Sequence, residues 1–179
     1  MPNPVAQDVA HASVVAGGAN GFETHYLRAG RGSSILVLAS DPKISEALIS
    51  DLPRRFRSIA PKLPLVESAP PPEFNPWLRG FLDALGIART AIVAGPCHAA
   101  QVIGFTLNEP ERVSRIVFLL GICGEWAGDG EDWGRGIADK LGIAGQPLLV
   151  TPLDPTDETA RARVLADIVT FLERVEENE

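Results

Sequence analysis

Residues 77–101 read WLRGFLDALGIARTAIVAGPCHAAQ, and they predict a helix, a strand and a second helix in direct succession. The first helix is predicted over Trp77–Leu85 and is followed by Gly86, a typical C-terminal stop. Thr90–Ala94 (TAIVA) shows no alternation of apolar and polar residues, which is typical of a strand buried on both faces of a sheet. Gly95–Ala99 (GPCHA) then forms a sharp junction with the second helix.

The same alternation of strands and helices extends to both sides of this stretch. Two helices are preceded by an Asp-Pro pair, Asp41-Pro42 and Asp154-Pro155, in which the aspartate is predicted to cap the helix and the proline to start it. The first of these helices is predicted over Lys43–Phe56. The other predicted strands are Phe22–Ala29, Ser34–Ala39, Ser58–Pro61, Ser114–Leu120 and Gln146–Thr151. Apolar strands that alternate with helices predict a three-layer α/β/α fold with a mostly parallel sheet.

The composition indicates one acidic domain. The chain has 179 residues, a formal net charge of −7 and a pI near 5.0, which argue against nucleic acid or an anionic membrane as the partner. No apolar run approaches the ~18 residues of a membrane span. We predict a single domain over residues 21–179, preceded by a poorly ordered arm over residues 1–20. Two cysteines are too few for a disulfide framework, so the expected compartment is the reducing cytoplasm.

The sequence contains no motif for a cofactor or a metal ion. Its glycines lack the spacing and the Lys-Ser/Thr ending of a phosphate-binding loop. Cys97 and His98 are adjacent, and adjacent residues rarely both face one ion. We therefore expect neither a cofactor nor a bound metal.

Five segments together resemble a known family, the α/β-hydrolases, over Gly21–Glu173. They are GFETHYLRAGRG (21–32), SILVLA (34–39), RRFRSIAPKLP (54–64), WLRGFLDALGIARTAIVAGPCHAAQ (77–101) and NEPERVSRIVFLL (108–120). The resemblance implies a reduced form of that fold, in which the last strand and the lid are largely missing. The lid region is cut to Cys123–Gly145, and Cys123 is expected to be a buried small residue rather than a partner for Cys97.

The resemblance places a nucleophile elbow at Gly95–Ala99. In the family a serine occupies the middle of G-x-S-x-G, on a strained turn between a strand and a helix. Here Cys97 stands in that position between small residues. Its thiolate would attack an acyl carbon, and the N–H of His98 would contribute to the oxyanion hole. The alternative is that Cys97 is a small apolar residue left at a tight junction after the serine was lost.

The rest of the triad departs from the family. There the order is nucleophile, acid, histidine, and the histidine follows the last strand. The chain has three histidines, His11, His25 and His98, so none follows the elbow and His98 is the only candidate base. Asp154 and Asp157 fall near the family's acid position. We interpret Asp154 as the cap of the last helix and Asp157 as an acidic residue of its first turn.

The segment that would complete the oxyanion hole also differs from that of the family. Where the family carries His-Gly after the buried strand, this chain has Ala39-Ser40, followed by Asp41. Ser40 and Asp41 are the candidate binding residues, the latter through its N–H. The carboxylate of Asp41 would oppose the negative charge of an oxyanion, and a role as helix cap explains this residue equally well.

Two functions remain open, and with them the question of whether the protein is an enzyme. The first is a protein that lacks ordinary triad hydrolysis and uses the elbow pocket to bind a small acyl or apolar ligand, or a partner protein. The second is an esterase, thioesterase or lactonase with Cys97 as its nucleophile. An exposed sheet edge at Gln146–Thr151 further predicts a homodimer, unless the N-terminal arm with Val14-Val15 covers an edge.

Overall fold

Helices and strands alternate along the chain in the computed structural model, which describes residues 9–16, 21–63, 73–120, 136, 139, 147–152 and 157–173. The strands are β1 (Ala10–Ala16), β2 (Phe22–Ala29), β3 (Ser34–Leu38), β4 (Arg57–Pro61), β5 (Thr90–Ala94), β6 (Val113–Leu120) and β7 (Leu148–Pro152). The helices are α1 (Pro42–Asp51), α2 (Phe74–Ala84), α3 (Ala99–Asn108) and α4 (Glu158–Glu173). Single helical turns at Pro96–His98 and Pro110–Arg112 precede α3 and β6.

The strands form one mixed, mostly parallel sheet. Its seven strands lie in the order β1-β2-β4-β3-β5-β6-β7. β2 pairs antiparallel with β1 and with β4, whereas the other neighbours are parallel. Because parallel neighbours require crossover connections, helices follow β3, β4 and β5 and cover the faces of the sheet.

Alternate side chains of the central strands face two separate cores. Leu36 and Leu38 of β3 belong to the core formed with α2 and α3. Ile35 and Val37 belong to the core formed with α1 and α4. Burial of each such side chain is worth about 1.5–3 kcal/mol, so both faces of the sheet stabilise the domain. The predicted three-layer α/β/α architecture is confirmed.

Part of the N-terminal arm is an edge strand. We predicted that residues 1–20 are poorly ordered, but the whole of β1 pairs with β2, from Ala10 opposite Arg28 to Ala16 opposite Phe22. This segment is a strand because it pairs with β2 and its inward side chains, Ala12 and Val14, pack against the core on the α2 side. The arm therefore covers one edge of the sheet, and the single domain over residues 21–179 stays a prediction.

α1 is shorter than the sequence predicts. It ends at Asp51 instead of Phe56, because Pro53 disfavours the helical conformation at the residue before it. That residue, Leu52, is extended, with φ −69° and ψ 139°.

The cap of α4 is Asp157 instead of Asp154. The Asp157 carboxylate accepts hydrogen bonds from the N–H of Thr159 at 2.9 Å and of Ala160 at 3.0 Å. These contacts satisfy N–H groups that have no partner within the helix. Asp154, to which we assigned the cap, lies outside the described residues.

β7 lies at the second edge of the sheet. Among the described strands it pairs with β6 alone, as the sequence predicts for Gln146–Thr151. An edge strand offers unpaired N–H and C=O groups to another chain, so the homodimer stays a prediction. The lid region Cys123–Gly145 lies outside the described residues, apart from residues 136 and 139.

Candidate functional site

The carboxyl ends of β3 and β5 meet at one edge of the sheet. The two strands are parallel neighbours, with Leu38 of β3 opposite Ala94 of β5. Beyond the strands, the N–H of Gly95 donates to the carbonyl of Leu38 at 3.4 Å. Ser40 follows β3 and Cys97 follows β5, so parallel pairing places the two predicted site segments side by side. In open α/β sheets, this is the edge at which ligands bind.

The junction after β5 is a helical turn without backbone strain. Pro96–His98 form a single 3₁₀ turn that leads into α3, and the N–H of His98 donates to the carbonyl of Gly95 at 3.0 Å. No non-glycine residue that the structure describes has a positive φ. Cys97 therefore lacks the strained conformation that the resemblance implies for an elbow nucleophile. We assigned the N–H of His98 to an oxyanion hole, but this N–H already donates to the carbonyl of Gly95.

Ser40, Cys97 and His98 are brought together at this junction. Ser40 Oγ lies 3.0 Å from His98 Nε2 and 3.8 Å from Cys97 Sγ. Ser40 and Cys97 are exposed, whereas His98 is only 8% exposed. The cluster therefore presents a hydroxyl group and a sulfur atom to solvent in front of a buried imidazole.

Gln101 belongs to the site and was missed by the sequence analysis. Its side chain forms a hydrogen bond with His98. His98 immediately precedes α3 and Gln101 lies in the first turn of that helix, so a spacing of three residues makes them neighbours. Helical spacing counted from the elbow histidine is the signal that could have identified Gln101.

Cys97 is disulfide-bonded. A disulfide sulfur is not a thiolate, so in this form Cys97 cannot act as a nucleophile. The chain has one other cysteine, Cys123, and it lies outside the described residues together with the buried role that we predicted for it. The bond is not what a reducing compartment predicts, and the cytoplasmic location stays a prediction.

Asp41 caps α1. Its carboxylate accepts a hydrogen bond from the N–H of Lys43 at 2.8 Å, and Pro42 occupies the first position of the helix. The predicted cap is confirmed, and the carboxylate lies against the positive end of the helix dipole. The N–H of Asp41 as a donor to a ligand stays a prediction.

The two remaining histidines lie away from the elbow. All three histidines of the chain are described, and His11 and His25 belong to β1 and β2, toward the other edge of the sheet. Together with neighbouring residues they line an open cavity of about 370 Å³, formed by His11, Ala12, Ser13, His25 and Tyr26. His98 is therefore the only imidazole at the candidate site.

Metal ligands do not cluster in the part of the chain that the structure describes, where no group of three His, Cys, Asp or Glu side chains could hold an ion. The expectation of a metal-free, cofactor-free protein stays a prediction. None of the described helices has the length and apolarity to cross a membrane.

Burial lowers the pKa of His98 below the value of about 6.5 of an exposed histidine, and the hydrogen bond with Gln101 offsets only part of this effect. The neutral imidazole is therefore the favoured form near neutral pH. As the pH falls below about 6.5, the unfolded chain binds a proton at this residue before the folded chain does. The contribution of His98 to stability is thus fully present above this pH and is lost as the pH falls through the folded pKa.

We expect His98→Gln to remove this acid sensitivity. Urea unfolding of both proteins between about pH 5 and about pH 8 should show the wild type losing stability relative to the variant on the acid side. Both proteins keep the other two histidines, so the difference between them isolates residue 98. Equal slopes of stability against pH would contradict the lowered pKa of His98.

Comparison with known proteins identifies the fold. The sequence matches no protein-family model and no curated protein. The naproxen esterase (carboxylesterase NP) of Bacillus subtilis matches with a TM-score of 0.64 and 11% identity, over 92% of this chain and 92% of its own. Epoxide hydrolase VrEH1 of Vigna radiata matches with a TM-score of 0.50 and 21% identity, over 63% of this chain and 40% of its own. Epoxide hydrolase CorEH matches with a TM-score of 0.52 and 21% identity, over 68% of this chain and 46% of its own.

The chain spans less than half the length of either epoxide hydrolase. At these identities the likeness concerns the fold and not the activity. The order of the strands, the three layers and the helix that follows the elbow agree with it. The chain has the α/β-hydrolase fold.

Proposed function

We propose that the protein binds a small acyl or apolar ligand beside the elbow and does not hydrolyse it through an ordinary Ser-His-Asp triad. The disulfide at Cys97 carries this proposal, because it occupies the position where the fold keeps its nucleophile. His98 is the only imidazole near that position, and Ser40 engages its Nε2 atom. In the oxidised form, the elbow position therefore offers no nucleophile for triad chemistry.

The surroundings of the elbow support ligand binding. The exposed Ser40 and the imidazole of His98 offer polar contacts to a ligand. A few convergent polar groups are typical of small-molecule sites. An acyl group suits this arrangement because its carbonyl oxygen accepts a hydrogen bond.

A pair of tryptophan substitutions tests the location of the site. Ala100, at the start of α3, and Ala166, on the outer face of α4, are both exposed helical alanines. We expect Ala100→Trp to weaken binding of p-nitrobutyranilide, a stable butyryl amide, at least about tenfold, which corresponds to ~1.4 kcal/mol. Ala166→Trp should leave the binding isotherm unchanged. Failure of the wild type to bind this amide, or equal weakening by both variants, would contradict the proposal.

The second candidate is a Cys97-dependent esterase, thioesterase or lactonase that becomes active on reduction. The position of the sulfur favours it, because Sγ is exposed, lies 3.8 Å from Ser40 Oγ and belongs to the residue before His98. A dithiol would reduce the disulfide and be oxidised to its own cyclic disulfide, leaving a thiol at Cys97. The thiolate would then attack the acyl carbon, with His98 as the base.

Reduction of the disulfide at Cys97 distinguishes the two candidate functions. If the second is correct, dithiothreitol should switch on hydrolysis of p-nitrophenyl butyrate and of a short acyl thioester, and Cys97→Ala should abolish the induced activity. Alkylation of the reduced protein by iodoacetamide should also be rapid at neutral pH. Absence of any induced turnover in a folded, reduced protein would exclude the Cys97 mechanism.

A further inference from the structure

The contact between the hydroxyl of Ser40 and the imidazole of His98 has a chemical capacity beyond ligand binding. Their separation of 3.0 Å, between Oγ and Nε2, is that of a nucleophile and its base. We propose that Ser40 is an acyl acceptor, with His98 as its general base, so that a bound ester or thioester acylates Ser40. This inference rests on the proposed function, since the acyl group must first reach the elbow.

The surroundings of His98 fix the imidazole for this role. His98 is 8% exposed, and its side chain is hydrogen-bonded to Ser40 at Nε2 and to the side chain of Gln101. In the tautomer with its proton on Nδ1, Nε2 is free of hydrogen and accepts the Ser40 O–H. Gln101 is thus a positioning residue, comparable to the third group that orients the base in a triad. Burial further favours the neutral ring, which is the form able to accept a proton.

The other polar groups at the elbow are less suited to attack. Cys97 is held in a disulfide. The Asp41 carboxylate is bound to the N–H of Lys43, at the start of α1. Ser40 is exposed, so an acyl carbon can approach its Oγ from solvent while the base stays behind it. The nucleophile is therefore displaced from the elbow of β5 to the end of the adjacent strand β3.

Acylation of Ser40 and its subsequent deacylation require water as the only co-reactant. Ser40 Oγ bonds to the carbonyl carbon as its proton passes to His98 Nε2, and the bond from that carbon to the leaving oxygen or sulfur then breaks. The leaving group takes the proton from His98, which gives an acyl ester on Ser40 and a free alcohol or thiol. Water attacks the ester through the same base, and Ser40 leaves with its proton restored.

Acyl labelling in the absence of reductant tests the inference. The oxidised protein is mixed with p-nitrophenyl butyrate, and intact mass and peptide mapping locate the butyryl group. We expect one butyryl group on Ser40, together with a burst of p-nitrophenolate equal to the protein concentration. Ser40→Ala should lose both signals, whereas Ser13→Ala, at an exposed serine on β1, should keep both. A butyryl group on any other residue, or an undiminished burst in Ser40→Ala, would overturn the inference.

His98→Gln tests the base without removing the nucleophile. We expect acylation of Ser40, measured at saturating ester, to slow at least about 100-fold. An acylation rate equal to that of the wild type would show that Ser40 does not depend on His98.

The amide distinguishes failure of this inference from failure of the binding proposal. Binding of p-nitrobutyranilide without acylation of Ser40 would refute the acyl-acceptor role and leave the binding proposal intact. Absence of binding and of acylation in the folded protein would refute both. Circular dichroism of every variant verifies that the loss of a signal is not a loss of fold.

Discussion

Phe81→Ala should lower the free energy of unfolding by about 3–5 kcal/mol, a large part of the stability of a domain of this size. Phe81 of α2 has no exposed surface. Its ring packs edge-on against Tyr26 of β2, with centroids 5.6 Å apart, and stacks on Trp77 at 5.8 Å. The substitution therefore removes apolar burial and two ring contacts, and it leaves a cavity that the close-packed sheet cannot fill.

Urea unfolding measures this effect, with Leu107→Ala as the matched control. Leu107 is also a large apolar residue on a helix of the same layer, but it is 48% exposed, and its loss should change stability by less than about 0.5 kcal/mol. A loss below about 1 kcal/mol for Phe81→Ala, with an unchanged urea dependence, would contradict the aromatic packing between α2 and β2.

The central part of the fold is predictable because burial there leaves a continuous local signal. Thr90–Ala94 is predicted and observed with identical limits, as is Phe22–Ala29. Strands covered on both faces read as short apolar runs, and turn residues mark their ends. Gly86 has a φ of +66°, in agreement with the C-terminal stop that we predicted.

β1 could not be predicted with the same certainty because tertiary contacts stabilise it. Its sequence, AHASVVA, has two strand formers, Val14 and Val15, among small and polar residues that have little intrinsic preference for a strand. What makes it a strand is the antiparallel pairing with β2 and the packing of Ala12 and Val14 against the core beneath α2. Neither contact is visible from local sequence.

The sequence predicted which residues belong to the site better than it predicted which of them are in contact. Ser40 and His98 were both candidates, because the resemblance to the α/β-hydrolases implies an oxyanion segment after the buried strand and an elbow at Gly95–Ala99. Which atoms touch depends on the side-chain geometry, so the contact from Ser40 to His98 Nε2 needed the structure. The disulfide at Cys97 has the same origin, since pairing of cysteines depends on distances between backbone positions that composition does not reveal.

Gly30→Ala should destabilise the protein by about 2–4 kcal/mol, through backbone strain and a steric clash together. Gly30 connects β2 to β3 with a φ of +71°, a conformation that disfavours a side chain. A Cβ atom there would lie 2.1 Å from the carbonyl oxygen of Phe56 and 2.7 Å from that of Arg54. Because both obstacles are backbone atoms, the turn itself must move, and with it the hydrogen bond of 2.9 Å from the N–H of Arg31 to Arg54.

Gly104→Ala is the matched control for this substitution. Gly104 lies inside α3, where a Cβ atom would have no neighbour within 4 Å, so alanine should raise stability by up to about 1 kcal/mol through helix propensity. Chemical denaturation of both variants should thus give changes of opposite sign. The turn at Gly30 lies at the amino end of β3, opposite the elbow, so the folded fraction of Gly30→Ala should still bind p-nitrobutyranilide. Loss of stability in both variants would instead show that any added methyl group is harmful, whatever the backbone conformation around it.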